Sequence, residues 1–150
     1  MSESTSFDLL SASLTGRQLI ESSAGTGKTY AIACLYIRLI VEGRVPVREI
    51  LVVTFTEAAT AELKKQIREK IREALDLLRG NPSKDKFLSE FVEKLKSRTE
   101  ARGDLLNALR MFDEAAIFTI HAFCQQLLRD NAFESGSNFN AELITSQDHF

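Results

Sequence analysis

A glycine-rich loop at residues 22–29 is the segment of this sequence with the clearest chemistry. It reads Ser22, Ser23, Ala24, Gly25, Thr26, Gly27, Lys28 and Thr29. Glycines without a Cβ let successive backbone N–H groups curl around a phosphate, and a following helix presents its positive end to the same charge. Lys28 is expected to contact the β- and γ-phosphates, and the Thr29 hydroxyl to ligate Mg²⁺. The loop therefore predicts a site for ATP and Mg²⁺, with Lys28 as its catalytic cation.

The surroundings of the loop support this prediction. Residues 17–20 are expected to form a short strand that enters the loop, and residues 28–42 a helix that leaves it. This context separates a true phosphate loop from a chance match. The strict consensus has glycine where this chain has Ser22, but the Gly-Lys-Thr end is intact. The structural alternative is a glycine-rich turn with a solvated lysine.

A second motif, Thr54-Phe55-Thr56, follows the apolar run at residues 50–53. That run is typical of a parallel strand covered on both faces, and its carboxyl end would lie where open α/β folds bind ligands. Two hydroxyls beside a ring suit a nucleic-acid strand, because hydroxyls bond phosphate oxygens and a ring stacks on a base. The alternative, which spacing alone favours, is that Thr56 caps the next helix and Phe55 belongs to the core.

The helix expected over residues 57–78 carries a segregated charge pattern. Projected at 3.6 residues per turn, its apolar residues fill one arc and its acidic residues another. The cations beside the apolar arc are Lys64, Lys65, Arg68, Arg72 and Arg79. Such a stripe could form a track for a phosphate backbone, although a solvated charged face is the commoner cause.

The segment Thr119-Ile120-His121-Ala122-Phe123 repeats the layout of the second motif. A buried strand is expected at residues 115–118, and a helix from His121 to about residue 133. By itself His121 would be a structural histidine. The acidic pair Asp113-Glu114 follows a segment of helical periodicity, so it is interpreted as a helix-to-strand connection rather than a magnesium site.

Strands that alternate with helices predict an α/β fold, with a parallel sheet and helices on both faces. The helix over residues 28–42 is apolar nearly all round and is expected to be buried against that sheet. Further helical stretches are expected near residues 85–97 and 103–112. Cys34 and Cys124 fall in apolar helical patterns and are expected to be buried, reduced thiols.

The composition is that of an ordinary globular chain, with 150 residues, 44% hydrophobic and 27% charged. A formal net charge of -2 argues against a generally basic, nucleic-acid-coating protein, so any DNA contact should be a local patch. The first residues lack the pattern of a secretory signal, and the longest apolar stretch is too short to span a bilayer. A cytoplasmic protein without a membrane partner is expected.

Together, the three motifs resemble those of the UvrD-like superfamily 1 DNA helicases. In that family the first motif binds ATP, and segments like residues 50–59 and 119–123 contact single-stranded DNA. Within it, residues 20–29 and 131–136 look most like the exodeoxyribonuclease V beta subunit, the RecB type, and the AddA type is the nearest competitor. The resemblance implies a P-loop (RecA-like) lobe, with Thr54, Phe55, Thr56 and His121 as DNA contacts.

The resemblance also implies an activity and partners. The activity would be that of an ATP-dependent DNA helicase and exonuclease subunit that unwinds and processes double-stranded DNA ends in recombinational repair. Its partners would be DNA and the other subunits of a RecBCD-like complex. Residues 1–150 would be the amino-terminal part of the ATP-binding domain, with a helical insertion at about residues 80–112. Neither the acidic magnesium motif nor the arginines of a second lobe are evident in the sequence, so this chain alone is expected to hydrolyse ATP negligibly.

Two other classes of protein also use a phosphate loop. A small P-loop kinase of nucleosides or metabolites fits the length, but the sequence has no candidate for its arginine-rich lid. A non-catalytic ATP-binding module would use the loop only to order a docking surface. Phosphate release that responds to single-stranded DNA would separate a helicase from a kinase.

Overall fold

The computed structural model describes residues 7–21, 25 and 27–131. This part of the chain contains five α-helices and two short β-strands. They are α1 (Lys28–Val41), β1 (Val52–Thr54), α2 (Glu57–Leu78), α3 (Lys86–Leu95), α4 (Ala101–Arg110), β2 (Ile117–Thr119) and α5 (Ile120–Asp130). Four loop residues, Ser22, Ser23, Ala24 and Thr26, lie outside the description. The end predicted for the last helix and most of the segment 131–136 lie outside it too.

The two strands pair in parallel, as the order of elements predicted. Val52 is opposite Ile117, and Thr54 is opposite Thr119. Because the last residues of the strands are level, both polar motifs leave the sheet at the same edge. The sheet is small, and the P-loop topology proposed from the resemblance involves more than these two strands.

Residues 17–20 do not form the predicted strand. Leu19 is 85% exposed, and within the described part of the chain β1 and β2 pair only with each other. A short segment becomes a strand only where a neighbouring strand takes up its backbone hydrogen bonds. The segment reaches the loop as an irregular, exposed stretch.

α2 is the centre of the core and packs against α1, α3, α4 and both strands. α1 packs mainly on α2 and α4, so the prediction that it is buried against the sheet is wrong. The strand β1 is also not covered on both faces by described residues, since Leu51 and Val53 are 48% and 45% exposed. The largest fully buried side chains are Tyr36, Ile37, Leu63, Ile67, Ile71, Leu88, Phe91, Leu105 and Ile117. Most of the core therefore lies between helices.

The segment before the loop is held against α1 by a buried cation. Arg38 is 5% exposed, and its guanidinium donates to the carbonyl oxygens of Leu9 and Ala12, both at 2.8 Å. The same side chain makes a two-point ion pair with Glu42, at 3.1 and 2.8 Å. A buried guanidinium needs this number of acceptors, because its charge is costly without them. Arg38 thus ties residues 9–12 to α1.

The helical stretches expected near residues 85–97 and 103–112 are present as α3 and α4. Asp85 caps α3, and Phe87 and Phe91 of that helix stack with ring centroids 5.6 Å apart. Asp113 and Glu114 lie in a short 3₁₀ turn between α4 and β2, which confirms their interpretation as a connection. None of the helices in the described ranges has the length and apolar character needed to cross a bilayer.

Candidate functional site

The described end of the glycine-rich loop contains two glycines with positive φ angles. Gly25 and Gly27 have φ angles of +76° and +88°, in the left-handed region that glycine adopts at little cost. Gly27 is the N-cap of α1 and has no side-chain oxygen to bond the first N–H groups of the helix. Those donors, with the positive end of the helix dipole, suit a bound phosphate.

Lys28 and Thr29 form the start of α1, beside this turn. The Lys28 side chain is exposed, and Thr29 is half-buried. A cavity of about 360 Å³ opens next to them, with Lys28 and the apolar side chains of Phe7, Ile20 and Ile32 among its lining. The loop, the lysine and the hydroxyl are therefore adjacent. The roles of Ser22, Ser23, Ala24 and Thr26 stay predictions, because these residues lie outside the described part.

A polar network behind the first turn of α1 was missed by the sequence analysis. The Tyr30 hydroxyl donates to Asp85 Oδ1 at 2.8 Å, and the Lys70 ammonium forms an ion pair with the other carboxylate oxygen. Lys70 Nζ also lies 4.0 Å from the centroid of the Tyr30 ring. The side chains of Lys70 and Asp85 are each 11% exposed. The network joins the helix that carries Lys28 to α2 and to the start of α3.

The environment of this network sets the charge of its members. Burial alone would raise the pKa of Asp85, but hydrogen bonds from Lys70, the Leu88 N–H and Tyr30 outweigh it and lower the pKa. Burial, helped by the hydrogen bond to Asp85, raises the pKa of Tyr30. Burial also raises the pKa of the neighbouring Cys34 thiol to about 11. At neutral pH the carboxylate is therefore ionised, and the phenol and thiol are neutral.

The second motif forms a turn at the carboxyl end of β1. Phe55 is 86% exposed, so the interpretation that it belongs to the core is wrong. Thr56 does cap α2, since its Oγ1 accepts a hydrogen bond from the Ala59 N–H at 3.1 Å. Thr54 Oγ1 lies 2.6 Å from Thr60 Oγ1 and 3.1 Å from the Thr56 carbonyl oxygen. With both hydroxyls bonded inside the protein, the Phe55 ring is the part of this motif that can reach a ligand.

The third motif lies at the same edge of the sheet. The Thr119 hydroxyl donates to Glu57 Oε1 at 3.1 Å and accepts from the Ala122 N–H at 3.2 Å, which caps α5. His121 lies in the first turn of α5 and is exposed. Because Thr119 is level with Thr54, the parallel register brings Phe55 and His121 to one edge.

Four of the five cations in the predicted stripe on α2 lie together. Lys64, Lys65, Arg68 and Arg72 line one concavity on α2, whereas Arg79 pairs with Asp76 at 3.0 Å near the end of the helix.

The predictions for the two cysteines have different outcomes. Both cysteines are free thiols, and Cys34 is buried as predicted. Cys124 is exposed, contrary to the prediction, because α5 buries none of its residues against the described part of the chain.

Comparison with known proteins shows similarity to a helicase domain and to RecB subunits of several bacteria. Residues 6–149 match the UvrD/REP helicase N-terminal domain. The chain is 45% identical over 148 residues to the RecBCD enzyme subunit RecB of Escherichia coli K12, an alignment that covers 93% of this chain and 12% of the relative. It is 43% identical to RecB of Haemophilus influenzae, and that alignment covers 98% of this chain and 13% of the relative. It is 36% identical to RecB of Mycolicibacterium smegmatis, with 87% of this chain and 12% of the relative covered. The chain thus spans 12 to 13% of the length of these relatives.

Proposed function

The chain belongs to the UvrD/REP helicase family, and from this premise we propose that it is the ATP-binding part of a RecB-type, ATP-dependent DNA helicase subunit. The observation that carries the proposal is the pair of left-handed glycines, Gly25 and Gly27, directly before a helix that opens with Lys28 and Thr29. The RecB relatives are named as subunits of a RecBCD enzyme. We therefore extend the proposal to DNA and to other subunits of such a complex as partners in the cytoplasm. The complex would unwind and process double-stranded DNA ends in recombinational repair.

The nucleotide would bind with its phosphates in front of α1. Backbone N–H groups of the loop would surround the β-phosphate, and Lys28 would stabilise the charge that develops as the γ-phosphoryl group is transferred. Bound Mg²⁺ neutralises phosphate charge, and the Thr29 hydroxyl is the ligand this helix offers it. No cluster of three or more His, Cys, Asp or Glu side chains within the described ranges could hold a metal. The metal would thus depend on the nucleotide for most of its ligands in this part of the protein.

Single-stranded DNA would cross the carboxyl edge of the sheet. The Phe55 ring, 86% exposed, is suited to stack on a base, and His121 lies on the adjoining motif of the same edge. Thr54 and Thr56 would act mainly by shaping the turn, because their hydroxyls are bonded within the protein. The glycine-rich loop directly precedes α1, and the turn that carries Phe55 directly precedes α2. Because α1 packs on α2, DNA bound at this edge would influence ATP turnover through these two helices.

The DNA assignment is tested by removing the exposed side chains in the full-length protein. Phe55→Ala and His121→Ala should each weaken single-stranded DNA binding, and loss of one stacked base costs about 1–3 kcal/mol, or roughly 5- to 150-fold in affinity. Leu51→Ala is the matched control, since Leu51 is an exposed apolar residue that enters the same strand at its other end. Nucleotide affinity measured without DNA should stay the same in all three variants.

Melting temperatures decide whether a loss of DNA binding is specific. Phe55 is exposed, so its truncation should leave the melting temperature almost unchanged, whereas a core phenylalanine would cost about 3–5 kcal/mol. Unchanged DNA affinity per folded molecule in both the Phe55 and His121 variants would refute the assignment of this edge.

A further inference from the structure

We propose that the basic groove of α2, formed by Lys64, Lys65, Arg68 and Arg72, is a second binding surface for the phosphate backbone of DNA. It is separate from the edge that carries Phe55 and His121, and the proposal rests on the DNA-binding function proposed above. The groove encloses about 360 Å³ and is closed on its other side by residues of the 3₁₀ turn before β2.

The groove carries an excess of positive charge. Its four cations share the concavity with two carboxylates, Glu69 and Asp113, which leaves a local balance of +2 in a chain whose formal net charge is -2. Arg68 is paired with Asp113 at 2.6 Å, but the Asp113 side chain is 91% exposed, so solvent weakens this pair and a phosphate can compete for the arginine. The ion pairs found in the described ranges include none to Lys64, Lys65 or Arg72.

Two aromatic rings hold cations of the groove in place without neutralising them. The Arg68 guanidinium carbon lies 4.9 Å from the centroid of the Phe112 ring, which is buried. Lys64 Nζ lies 6.0 Å from the centroid of the Phe118 ring on β2. Cation–π contacts of this kind orient a side chain while its charge stays available. A cation that is already oriented loses less conformational entropy when an anion binds.

The spacing of the cations suits a linear polyanion. Lys64, Arg68 and Arg72 recur every fourth residue and so follow one side of α2, advancing about 6 Å per step and about 12 Å in all. In a DNA duplex each strand has one phosphate per about 3.4 Å of helix axis, so a length of about 12 Å spans three or four phosphates of that strand.

The position of the groove favours DNA over an acidic peptide. Thr56, the N-cap of α2, lies on the edge that carries Phe55, and Lys64 follows about 12 Å beyond Thr56 along the helix axis. A DNA strand that passes the Phe55 edge can therefore continue along the groove without a gap longer than a few nucleotides. An acidic segment of a partner subunit carries no bases to stack on Phe55, so the closeness of the groove to that edge does not favour it.

The salt dependence of DNA binding tests the proposal in the full-length protein. The variant Lys64→Ala/Lys65→Ala/Arg72→Ala removes the three cations that have no ion pair among the described residues, and it keeps Arg68, which packs on Phe112. If each cation neutralises one phosphate, the slope of log K against log salt concentration should fall in magnitude by about 2 to 3, for both single-stranded and duplex ends. Lys84→Ala/Lys86→Ala/Arg98→Ala is the control, since it removes the same charge from exposed positions on the insertion.

The outcomes separate this proposal from the function on which it rests. DNA-dependent ATP hydrolysis at saturating DNA should be retained by both triple variants, with only the groove variant showing the reduced slope. Equal slopes for wild type, groove variant and control would overturn the groove while leaving the helicase proposal standing. Loss of partner subunits from the groove variant on gel filtration, with an unchanged slope, would also overturn it and assign the groove to a protein partner. A wild-type protein that binds no DNA would instead contradict the proposed function itself.

Discussion

Breaking the ion pair between Lys70 and Asp85 should destabilise the chain strongly. Each side chain is 11% exposed, so removing one partner leaves the other as a buried charge without compensation, at a cost of about 3–5 kcal/mol. Asp85 is also the N-cap of α3, where it accepts from the Leu88 N–H at 3.0 Å, and the loss of a cap costs about 1 kcal/mol. Asp85→Ala is therefore expected to lower the free energy of unfolding by about 4–6 kcal/mol.

Matched variants divide this loss between charge and cap. Asp85→Asn keeps an oxygen that can cap α3 and accept from Tyr30, so it should lose only the charge contribution, about 3–5 kcal/mol. Lys70→Met leaves the carboxylate unpaired and should cost a similar amount. Combining Lys70→Met with Asp85→Asn removes both charges, so the double variant should be more stable than the sum of its single losses predicts, by about 0.5–3 kcal/mol.

Urea denaturation monitored by circular dichroism measures these free energies, and its pH dependence adds an independent check. The pKa of Asp85 in the folded chain lies below its ordinary value of 3.8, so the ionised form stabilises the fold above that value. The stabilisation is lost as pH falls through the folded-state pKa. Wild type should therefore lose stability below about pH 4 that Asp85→Asn does not lose. Losses under about 1 kcal/mol in both single variants would refute the buried pair.

Two local predictions concern thiols and helix caps. Native protein at pH 8 should titrate one thiol, the exposed Cys124, because Cys34 is buried and its pKa is raised to about 11. Denatured protein should titrate two thiols, and rapid reaction of both thiols in the native state would contradict the burial of Cys34. Thr56→Ala should lower the free energy of unfolding by about 1 kcal/mol and Thr56→Ser should keep most of it, and equal stability of all three proteins would mean that α2 does not depend on this cap.

The elements that the sequence predicted well are those with local signals. α2 has its predicted bounds, Glu57–Leu78, because a threonine cap, a sustained helical period and a glycine after the last turn all lie within the segment itself. The strand at residues 17–20 was predicted wrongly, because strand formation depends on a neighbour that the local pattern does not reveal. The interpretation that Phe55 is buried was wrong for a related reason. The sequence pattern predicts which residues share a face of a strand, but not whether other residues cover that face.

The candidate site also contains one feature that the local sequence predicts and one that it does not. The left-handed backbone at Gly25 and Gly27 could be predicted, because only glycine adopts it readily. The network of Tyr30, Lys70 and Asp85 could not, because its members are 15 and 55 residues apart in sequence and meet only when three helices pack. Asp85 is the first residue of the helical stretch expected over residues 85–97, but nothing in the sequence near it indicates a buried lysine as its partner.

We propose that Lys28 belongs to a site for ATP hydrolysis that is coupled to DNA. DNA-stimulated phosphate release in the full-length protein carrying Lys28→Ala measures the contribution of this lysine. Lys84→Ala, which removes an exposed lysine just before α3, is the control. We expect Lys28→Ala to abolish turnover with an unchanged melting temperature, because the exposed side chain contributes charge to the site rather than packing to the core. The control should hydrolyse ATP as wild type does, and wild-type turnover by a folded Lys28→Ala protein would contradict the account.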